Sequence, residues 1–387
     1  MPARPDDAAP DLIDRPDELR SLVRRLAHEP RIALDTEAAS FHRYVDRVYL
    51  LQLSSDTETA LVDPLAVTDL RPIGDLLANP KLEVVLHDAD YDLRILDRDY
   101  AFRARNVFDT RIAAQLAGEP AVGLGSLLEK YFGVQVDKRY QRADWSRRPL
   151  TTEMVAYAAN DTRYLTSLRD TLEQKLQEMG RLEWVREEFL LLEQIRWTQF
   201  GADDEEAYQR IKGARALKPR ELAILRELYR WRERTARSLD RARFRVLSNS
   251  ALLAVAKAAP LTPKKLAAVQ GMPAATAQRY GDPILRAVKK GLDVPDQKLP
   301  RVRRSRRPEP DAEYDQRLER LKQLRNERAE AVGLAPGLVC PNGTLQEIAR
   351  TVSLSTAALD GVSELRRWQR EVVGDAAILA AVQGGST

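Results

Sequence analysis

The chain has 387 residues, 44% of them hydrophobic and 31% charged, with a net charge of +4. That length predicts two or three domains, each with an apolar core. The single cysteine, Cys340, excludes a disulfide framework and a cysteine-based zinc site. Neither a run of about 18 apolar residues nor the apolar segment of a signal peptide is present, so we expect no membrane span and a cytoplasmic protein.

The first half of the chain alternates strand-like and helical patterns. After a polar, proline-rich segment predicted to be a flexible tail (1–16), we expect strands at 31–35, 48–55, 59–63, 82–88 and 106–110. Helices are predicted at 67–79, 88–100, 124–134 and 151–180, with a connector helix at 182–200. The first three strands follow one another at hairpin-like intervals. We therefore predict one domain (17–200) with a mixed sheet that contains an antiparallel meander.

A basic helical segment follows (213–293). From Gly213 to Leu292 it carries 18 Lys and Arg against 5 Asp and Glu, so its net charge is +13 and the rest of the chain carries −9. This asymmetry favours a polyanionic partner. An arginine-rich solvated helix surface is the alternative.

A proline-rich basic linker (294–311) leads to a final helical segment (312–383). A shift of 93 residues, with no gap, aligns this segment with the basic one. Leu225, Leu228 and Arg232 then fall on Leu318, Leu321 and Arg325. Two copies of one small helical domain are the simplest interpretation, and two unrelated amphipathic bundles are the alternative.

Acidic residues stand at unusual places in the first domain. Asp35 and Glu37 are two apart on a strand, so their side chains leave the same face and repel each other unless a cation lies between them. Asp92 lies on the apolar side of its helix. Tyr157 and Asp161 share one helix face near a buried stripe. Taken singly, a solvated strand end would explain Asp35 and Glu37, and a Tyr–Asp hydrogen bond in a structural helix would explain Tyr157 and Asp161. Asp92 lies away from the helix cap, where a charge would need a partner.

Together these residues resemble the DEDD superfamily of 3′→5′ exonucleases in its tyrosine subclass. "LDTEA", "YDL" and "YAAND" are similar to its three motifs, and "VFDTRIAAQLAG" and "LGSLLEKYFGV" resemble segments of ribonuclease D. The segment that begins "LKPRELAILRELYRWRER" resembles an HRDC domain. The resemblance covers residues 17–383. It implies an α/β mixed-sheet exonuclease domain of the ribonuclease H-like fold, followed by two all-α HRDC-type bundles, the second degenerate.

The resemblance also implies a chemistry. Two divalent ions, Mg²⁺ or Mn²⁺, would serve as cofactors. Asp35 would bridge both ions, Glu37 and Asp161 would hold the ion that carries the attacking water, and Asp92 would help to hold the second. Tyr157 would orient that water. The implied substrate is the 3′ end of RNA, such as a tRNA precursor, shortened by one nucleotide at a time by a monomeric enzyme. A DNA exonuclease and an inactive nucleic-acid-binding protein are the alternatives.

Substrate contacts are less determined. Relatives often have an aromatic residue directly after the Glu of the first motif, where this chain has Ala38 and Ala39, so Phe41 or Tyr44 is the candidate to stack on the terminal base. By likeness, further contacts are expected from Gln52, Gln141, Trp145 and Arg148. Arg148 would contact a phosphate or pair with Asp144. Asp109 is expected to cap a helix, and His87 to be a structural hydrogen-bond partner.

Overall fold

The computed structural model describes residues 10–137, 139–198, 206–301, 311–351, 355–362 and 364–384. Residues 1–9 of the predicted tail and residues 302–310 of the predicted linker lie outside this range, as do 199 and 200 at the end of the predicted connector helix.

A six-stranded mixed sheet is the centre of the first domain. Its strands are β1 (Asp11–Ile13), β2 (Arg31–Ala38), β3 (Val48–Ser54), β4 (Thr59–Val62), β5 (Glu83–Leu86) and β6 (Val107–Asp109). Their order across the sheet is β1-β4-β3-β2-β5-β6. The β2, β3 and β4 strands pair antiparallel, which confirms the predicted meander, and β1, β5 and β6 are added in parallel pairs.

Three features of this domain differ from the prediction. The connector helix predicted at 182–200 ends at Leu192, and residues 195–198 are not helical. The predicted tail is wrong at residues 11–13, because β1 pairs with β4 and buries Ile13; three residues are too short to show an alternating pattern. The helix predicted at 151–180 is two helices, since Tyr164 separates residues 152–163 from 165–178.

Eight helices pack around the sheet in the described part of this domain. They are α1 (Pro16–Leu26), α2 (Arg71–Leu77), α3 (Asp90–Tyr100), α4 (Thr110–Leu116), α5 (Leu124–Phe132), α6 (Thr152–Arg163), α7 (Leu165–Glu178) and α8 (Leu182–Leu192). The side chains predicted to line the buried face of the 151–180 segment (Met154, Ala158, Leu165 and Leu168) are all buried, because the apolar stripe continues across the break at Tyr164.

Two helical repeats complete the chain. The first contains α9 (Pro219–Ser238), α10 (Arg243–Val246), α11 (Asn249–Ala258), α12 (Pro263–Ala267) and α13 (Ala274–Leu292); the second contains α14 (Ala312–Ala331), α15 (Pro336–Val339), α16 (Asn342–Arg350), α17 (Thr356–Leu359), α18 (Arg367–Val373) and α19 (Asp375–Gln383). The starts of α9 to α13 and of α14 to α18 differ by 93 residues, the shift found in the sequence. The long α13 corresponds to α18 and α19 together, which are divided at Gly374 with a φ of 89°.

The two repeats pack differently against the first domain. The first repeat has an apolar core of its own. The core of the second repeat is continuous with that of the first domain. At that junction the rings of Trp184 on α8 and Trp368 on α18 stack with their centroids 5.3 Å apart. No described helix is both long enough and apolar enough to cross a membrane.

Candidate active site

Strand β2 carries the first two carboxylates into a cleft. Asp35 lies opposite Gln52 of β3, and the β2–β3 register shifts between Glu37 and Ala38, the last paired residue of β2. Helix α6 packs across β2, β3 and β4 and brings Tyr157 and Asp161 to the same place. The cleft has a volume of about 400 Å³ and is lined by Asp35, Glu37, Tyr157 and Asp161, among others. The structure thus brings four of the five predicted catalytic residues to one cavity.

Asp92, the remaining predicted residue, lies beneath this cleft rather than on its surface. It is 6% exposed on α3, and the Thr36 hydroxyl donates a hydrogen bond to its carboxylate. The start of α3 is held by Asp109, whose carboxylate accepts a hydrogen bond of 2.7 Å from the Ala89 amide. Asp109 also caps α4 through the amides of Arg111 and Ile112, which confirms its predicted capping role.

The carboxylates of the cleft destabilise one another in their ionised forms. Burial raises the pKa of Glu37 well above its usual value, and the charges of Asp35, Asp161 and Asp92 raise it further. Burial and the neighbouring Asp161 likewise raise the pKa of Asp35. Burial raises the pKa of Asp161 to about 7. A cation bound among these side chains would remove the cost of ionising them.

Tyr157 keeps its proton at neutral pH. Burial raises the pKa of its phenol above the usual value, and the negative charges of Asp161 and Glu37 raise it further. Its ring is fixed by Trp145 and Tyr140, with centroids 6.0 and 5.7 Å away. The hydroxyl is therefore a positioned hydrogen-bond donor and a poor base.

The donor set suits a hard divalent cation, because Mg²⁺ and Mn²⁺ prefer oxygen ligands. The buried Gln52 amide, across from Asp35, has no hydrogen-bond partner among the described residues, so a polar group is missing from its surroundings. The described side chains do not already form a group of three or more acidic, histidine or cysteine ligands around one point. The residues fit a metal in chemistry.

Three of the predicted substrate contacts are either buried or ion-paired in this structure. Gln52 and Trp145 are fully buried, so neither offers a surface to a substrate. The Arg148 guanidinium is held by Asp63, with one N–O distance of 2.8 Å, and by the Tyr49 carbonyl at 2.7 Å. Arg148 is not among the residues that line the cleft, and its ion pair is with Asp63 instead of Asp144. Burial and ion pairing depend on tertiary packing, which a likeness of sequence does not specify.

The other predicted contacts are distributed between two places. Gln141 lines the cleft. Phe41 and Tyr44 lie in the loop after β2, against the first helical repeat. The guanidinium groups of Arg237 and Arg243 lie 5.5 and 4.5 Å from the ring centroid of Tyr44, and its hydroxyl donates a hydrogen bond of 3.2 Å to Glu233.

His87 and Arg111 complete one wall of the cleft. The His87 Nδ1 lies 2.9 Å from the Thr110 hydroxyl, which confirms its predicted structural hydrogen bond. Burial and the nearby Arg111 lower the pKa of His87 to about 4, so the ring is neutral. Arg111 was not predicted from the sequence. It lies two residues after Asp109, which binds the start of α3 beside the second motif, and this spacing is the signal that could have indicated it.

Comparisons with known proteins follow the same division of the chain. The family model described as "3'-5' exonuclease" matches residues 10–177, and the HRDC domain model matches residues 221–288 and 315–382. The ribonuclease D of Nitrobacter hamburgensis is 33% identical over 371 residues, which cover 95% of this chain and 94% of that protein. The chain belongs to the ribonuclease D family. The ribonuclease D of Desulfotalea psychrophila is 31% identical over 88% of this chain and 91% of its own length.

Solved structures support the same assignment. The crystal structure of Escherichia coli RNase D, described as an exoribonuclease involved in structured RNA processing, matches with a TM-score of 0.71 and 27% identity, over 98% of this chain and all of that one. A protein from Bifidobacterium adolescentis matches with a TM-score of 0.81 and 25% identity over 99% of both chains. As a ribonuclease D, the protein is a 3′→5′ exoribonuclease, and the predicted fold of a mixed α/β nuclease domain followed by HRDC helices is confirmed.

Proposed function

We propose that Asp35, Glu37, Asp92 and Asp161 hold two divalent cations, Mg²⁺ or Mn²⁺, and that Tyr157 positions the attacking water. The observation that carries this proposal is the group of buried carboxylates that line one cleft. Burial raises the pKa of all three, Asp35, Glu37 and Asp161, and neighbouring charges raise the pKa of Asp35 and Glu37 further. Such an arrangement is costly unless a cation is bound there. Clusters of this kind are typical of functional sites.

When bound, two metal ions supply an activated water and stabilise the charge on the phosphate and on the leaving oxygen. The chain's own residues do the rest. The protonated Tyr157 hydroxyl donates a hydrogen bond and fixes the direction from which water approaches the phosphorus. The Thr36 hydroxyl holds the Asp92 carboxylate in place. Gln141, at the edge of the cleft, contacts the terminal nucleotide.

We further propose that the substrates are structured RNAs such as tRNA precursors, processed by a monomeric enzyme in the cytoplasm, with release of 5′-mononucleotides. The nuclease domain, which we predicted at 17–200, would begin at β1, and the HRDC domains would span 213–293 and 312–383. The charge of +13 between Gly213 and Leu292 supports binding of the RNA backbone by the first HRDC domain. Contacts of this kind are independent of sequence and weaken as salt is added.

One assay tests the site and the substrate together. RNA and DNA oligonucleotides of the same sequence, labelled at the 5′ end, are incubated with the protein in Mg²⁺, in Mn²⁺ or in EDTA. A stepwise ladder on RNA that disappears in EDTA is the expected result. Equal digestion of DNA would contradict the RNA preference, and RNA binding without digestion would indicate an inactive nuclease.

Site variants provide the control. Asp35→Asn and Asp161→Asn should each abolish the ladder and leave RNA binding nearly unchanged. Glu129→Gln, an exposed carboxylate on α5, should cleave RNA like the unaltered protein. Activity that survives in Asp35→Asn would refute the proposed ligands.

A further inference from the structure

The loop after β2 is attached to the first HRDC domain by its backbone. The amide of Ala242 donates a hydrogen bond of 3.1 Å to the His42 carbonyl, and the Arg245 guanidinium donates to the Phe41 carbonyl. The Tyr44 amide donates to the Asp240 carboxylate at 3.2 Å. These contacts fix the positions of side chains from two domains relative to one another.

Two phenylalanine rings meet at this junction and remain exposed. Phe41 of the loop is 40% exposed and Phe244 of α10 is 51% exposed. Their centroids are 6.1 Å apart with an interplanar angle of 76°, an edge-to-face arrangement. Burial of large aromatic rings is favourable. An exposed apolar pair at a domain junction is therefore a candidate contact surface for a ligand.

The surroundings of the pair are cationic. The Arg142 guanidinium lies 5.1 Å from the centroid of the Phe41 ring, and both Arg142 and Arg245 are exposed. Aromatic faces for the bases, combined with arginines for the phosphates, are the usual composition of a surface that binds single-stranded nucleic acid. An apolar protein surface would not require this rim of positive charge.

Phe41 and the neighbouring Arg142 lie on two chain segments that lead directly to the cleft. Phe41 follows Glu37 by four residues, which limits their separation to about 14 Å even in a fully extended chain. Arg142 directly follows Gln141, which lines the cleft, and the Arg142 carbonyl lies 2.9 Å from Nε2 of His42. A nucleotide chain whose 3′ end occupies the cleft therefore has this surface within reach of its next nucleotides.

We propose that Phe41 and Phe244 form a composite stacking platform for the unpaired nucleotides directly upstream of the scissile phosphate. The nuclease domain supplies one ring and the first HRDC domain supplies the other, so the HRDC domain takes part in holding the reactive end of the RNA. This inference rests on the proposed function, because it assumes that the RNA 3′ end occupies the cleft.

The test compares Phe244→Leu with Phe244→Trp in the full chain. Leucine retains an apolar side chain but offers no ring for stacking, whereas tryptophan retains a ring. Binding of a fluorescent single-stranded RNA oligonucleotide is measured in EDTA, where no hydrolysis occurs. Phe244→Leu should weaken binding by about 5- to 150-fold, because stacking contributes about 1–3 kcal/mol per base. Phe244→Trp should restore it.

An abasic scan separates stacking from a purely structural role. Each upstream base of the oligonucleotide is removed in turn. One position should weaken binding to the unaltered protein and have little effect on binding to Phe244→Leu. Leu261→Ala, which changes an exposed apolar residue of the first HRDC domain, should show the unaltered pattern.

The outcomes are distinct from those of the activity assay. Equal RNA affinity of Phe244→Leu and the unaltered protein would overturn the platform and leave the pair as an interdomain packing contact. An abasic penalty that persists in Phe244→Leu would overturn it too. Since binding is measured without metal, either result stands whether or not the protein hydrolyses RNA.

Discussion

Arg232 and Arg325, 93 residues apart, are buried in equivalent positions of the two HRDC domains and make the same two hydrogen bonds. Arg232 donates to the Leu247 carbonyl at 3.2 Å and to the Asn249 side chain at 2.7 Å. Arg325 donates to the Cys340 carbonyl at 3.2 Å and to the Asn342 side chain at 2.8 Å. In each domain one arginine thus ties the first helix to the turn that precedes the third, and the internal repeat extends to individual side-chain contacts.

Arg232→Met and Arg325→Met should both destabilise the protein, by about 1–3 kcal/mol each, because the carbonyl of a buried residue, Leu247 or Cys340, loses its donor. Hydrogen exchange should show which helices each substitution destabilises. Arg232→Met should increase exchange within the first HRDC domain alone, which has its own core. Arg325→Met should also increase it in α8 of the nuclease domain, because those cores are continuous. The exposed Arg328→Met serves as control. If Arg325→Met increased exchange only within the second HRDC domain, the predicted effect on α8 would be contradicted.

Removal of metal should reveal the cost of ionising a buried carboxylate in the cleft. Folding raises the pKa of Asp161 from 3.8 to about 7, so the folded state binds more protons between these pH values. In EDTA the free energy of unfolding should therefore fall as the pH rises from about 4 to 7. Asp161→Asn should be more stable than the unaltered protein at pH 8 in EDTA, by at most about 4 kcal/mol.

The same variant should respond weakly to metal. Thermal melting in Mg²⁺ should show a clear stabilisation of the unaltered protein, about 2.7 kcal/mol at 100 times the dissociation constant, and a smaller one of Asp161→Asn. Equal stabilisation of both proteins, or a lower stability of Asp161→Asn in EDTA, would be evidence against Asp161 as a ligand.

Tyr157→Phe should separate positioning from metal binding. The phenylalanine ring retains the packing against Trp145 but lacks the hydroxyl, so we expect kcat to fall by about 100-fold or more. The stabilisation by Mg²⁺ in thermal melting should be unchanged. A variant that also lost this stabilisation would show that the hydroxyl supports the ligands instead of the water.

A buried ionic cluster away from the cleft should govern stability in acid. Burial acts to raise the pKa of Glu119, but hydrogen bonds from Lys130, Lys175 and Tyr131 outweigh it and lower the pKa to about 2. Its contribution to stability is present above about pH 4.5 and is lost as the pH falls toward 2.

Glu119→Gln should therefore unfold at lower urea concentration at pH 7, with a loss of about 2 kcal/mol, and the difference from the unaltered protein should shrink in acid. Glu129→Gln, on the same helix as Lys130 but exposed, should match the unaltered protein at both pH values. A difference for Glu119→Gln that is constant from pH 7 to pH 3 would argue against this role of the charge.

The sequence predicted the sheet and the repeat better than the substrate contacts. The β2–β4 meander was evident because its strands are apolar runs separated by short polar turns, whereas β1 is too short to show a period. Asp35, Glu37 and Asp161 were identifiable because paired carboxylates near apolar stripes need a compensating charge. Trp145 and Arg148 lie close to residues of the cleft, both along the chain and in the folded structure. Trp145 packs against Tyr157, and Arg148 pairs with Asp63. No local sequence pattern connects either residue to its partner.

The stack of Trp184 on Trp368 also bears on how the two HRDC domains diverged. The residue of the first domain that corresponds to Trp368 is Ala275, and it is exposed. The position that is exposed to solvent in the first copy holds a large ring in the second, and this ring also donates a hydrogen bond of 2.7 Å to Glu188. The second copy therefore differs from the first in packing as well as in sequence. The second copy packs against the nuclease domain, whereas the first copy leaves the equivalent position exposed and carries the positive charge.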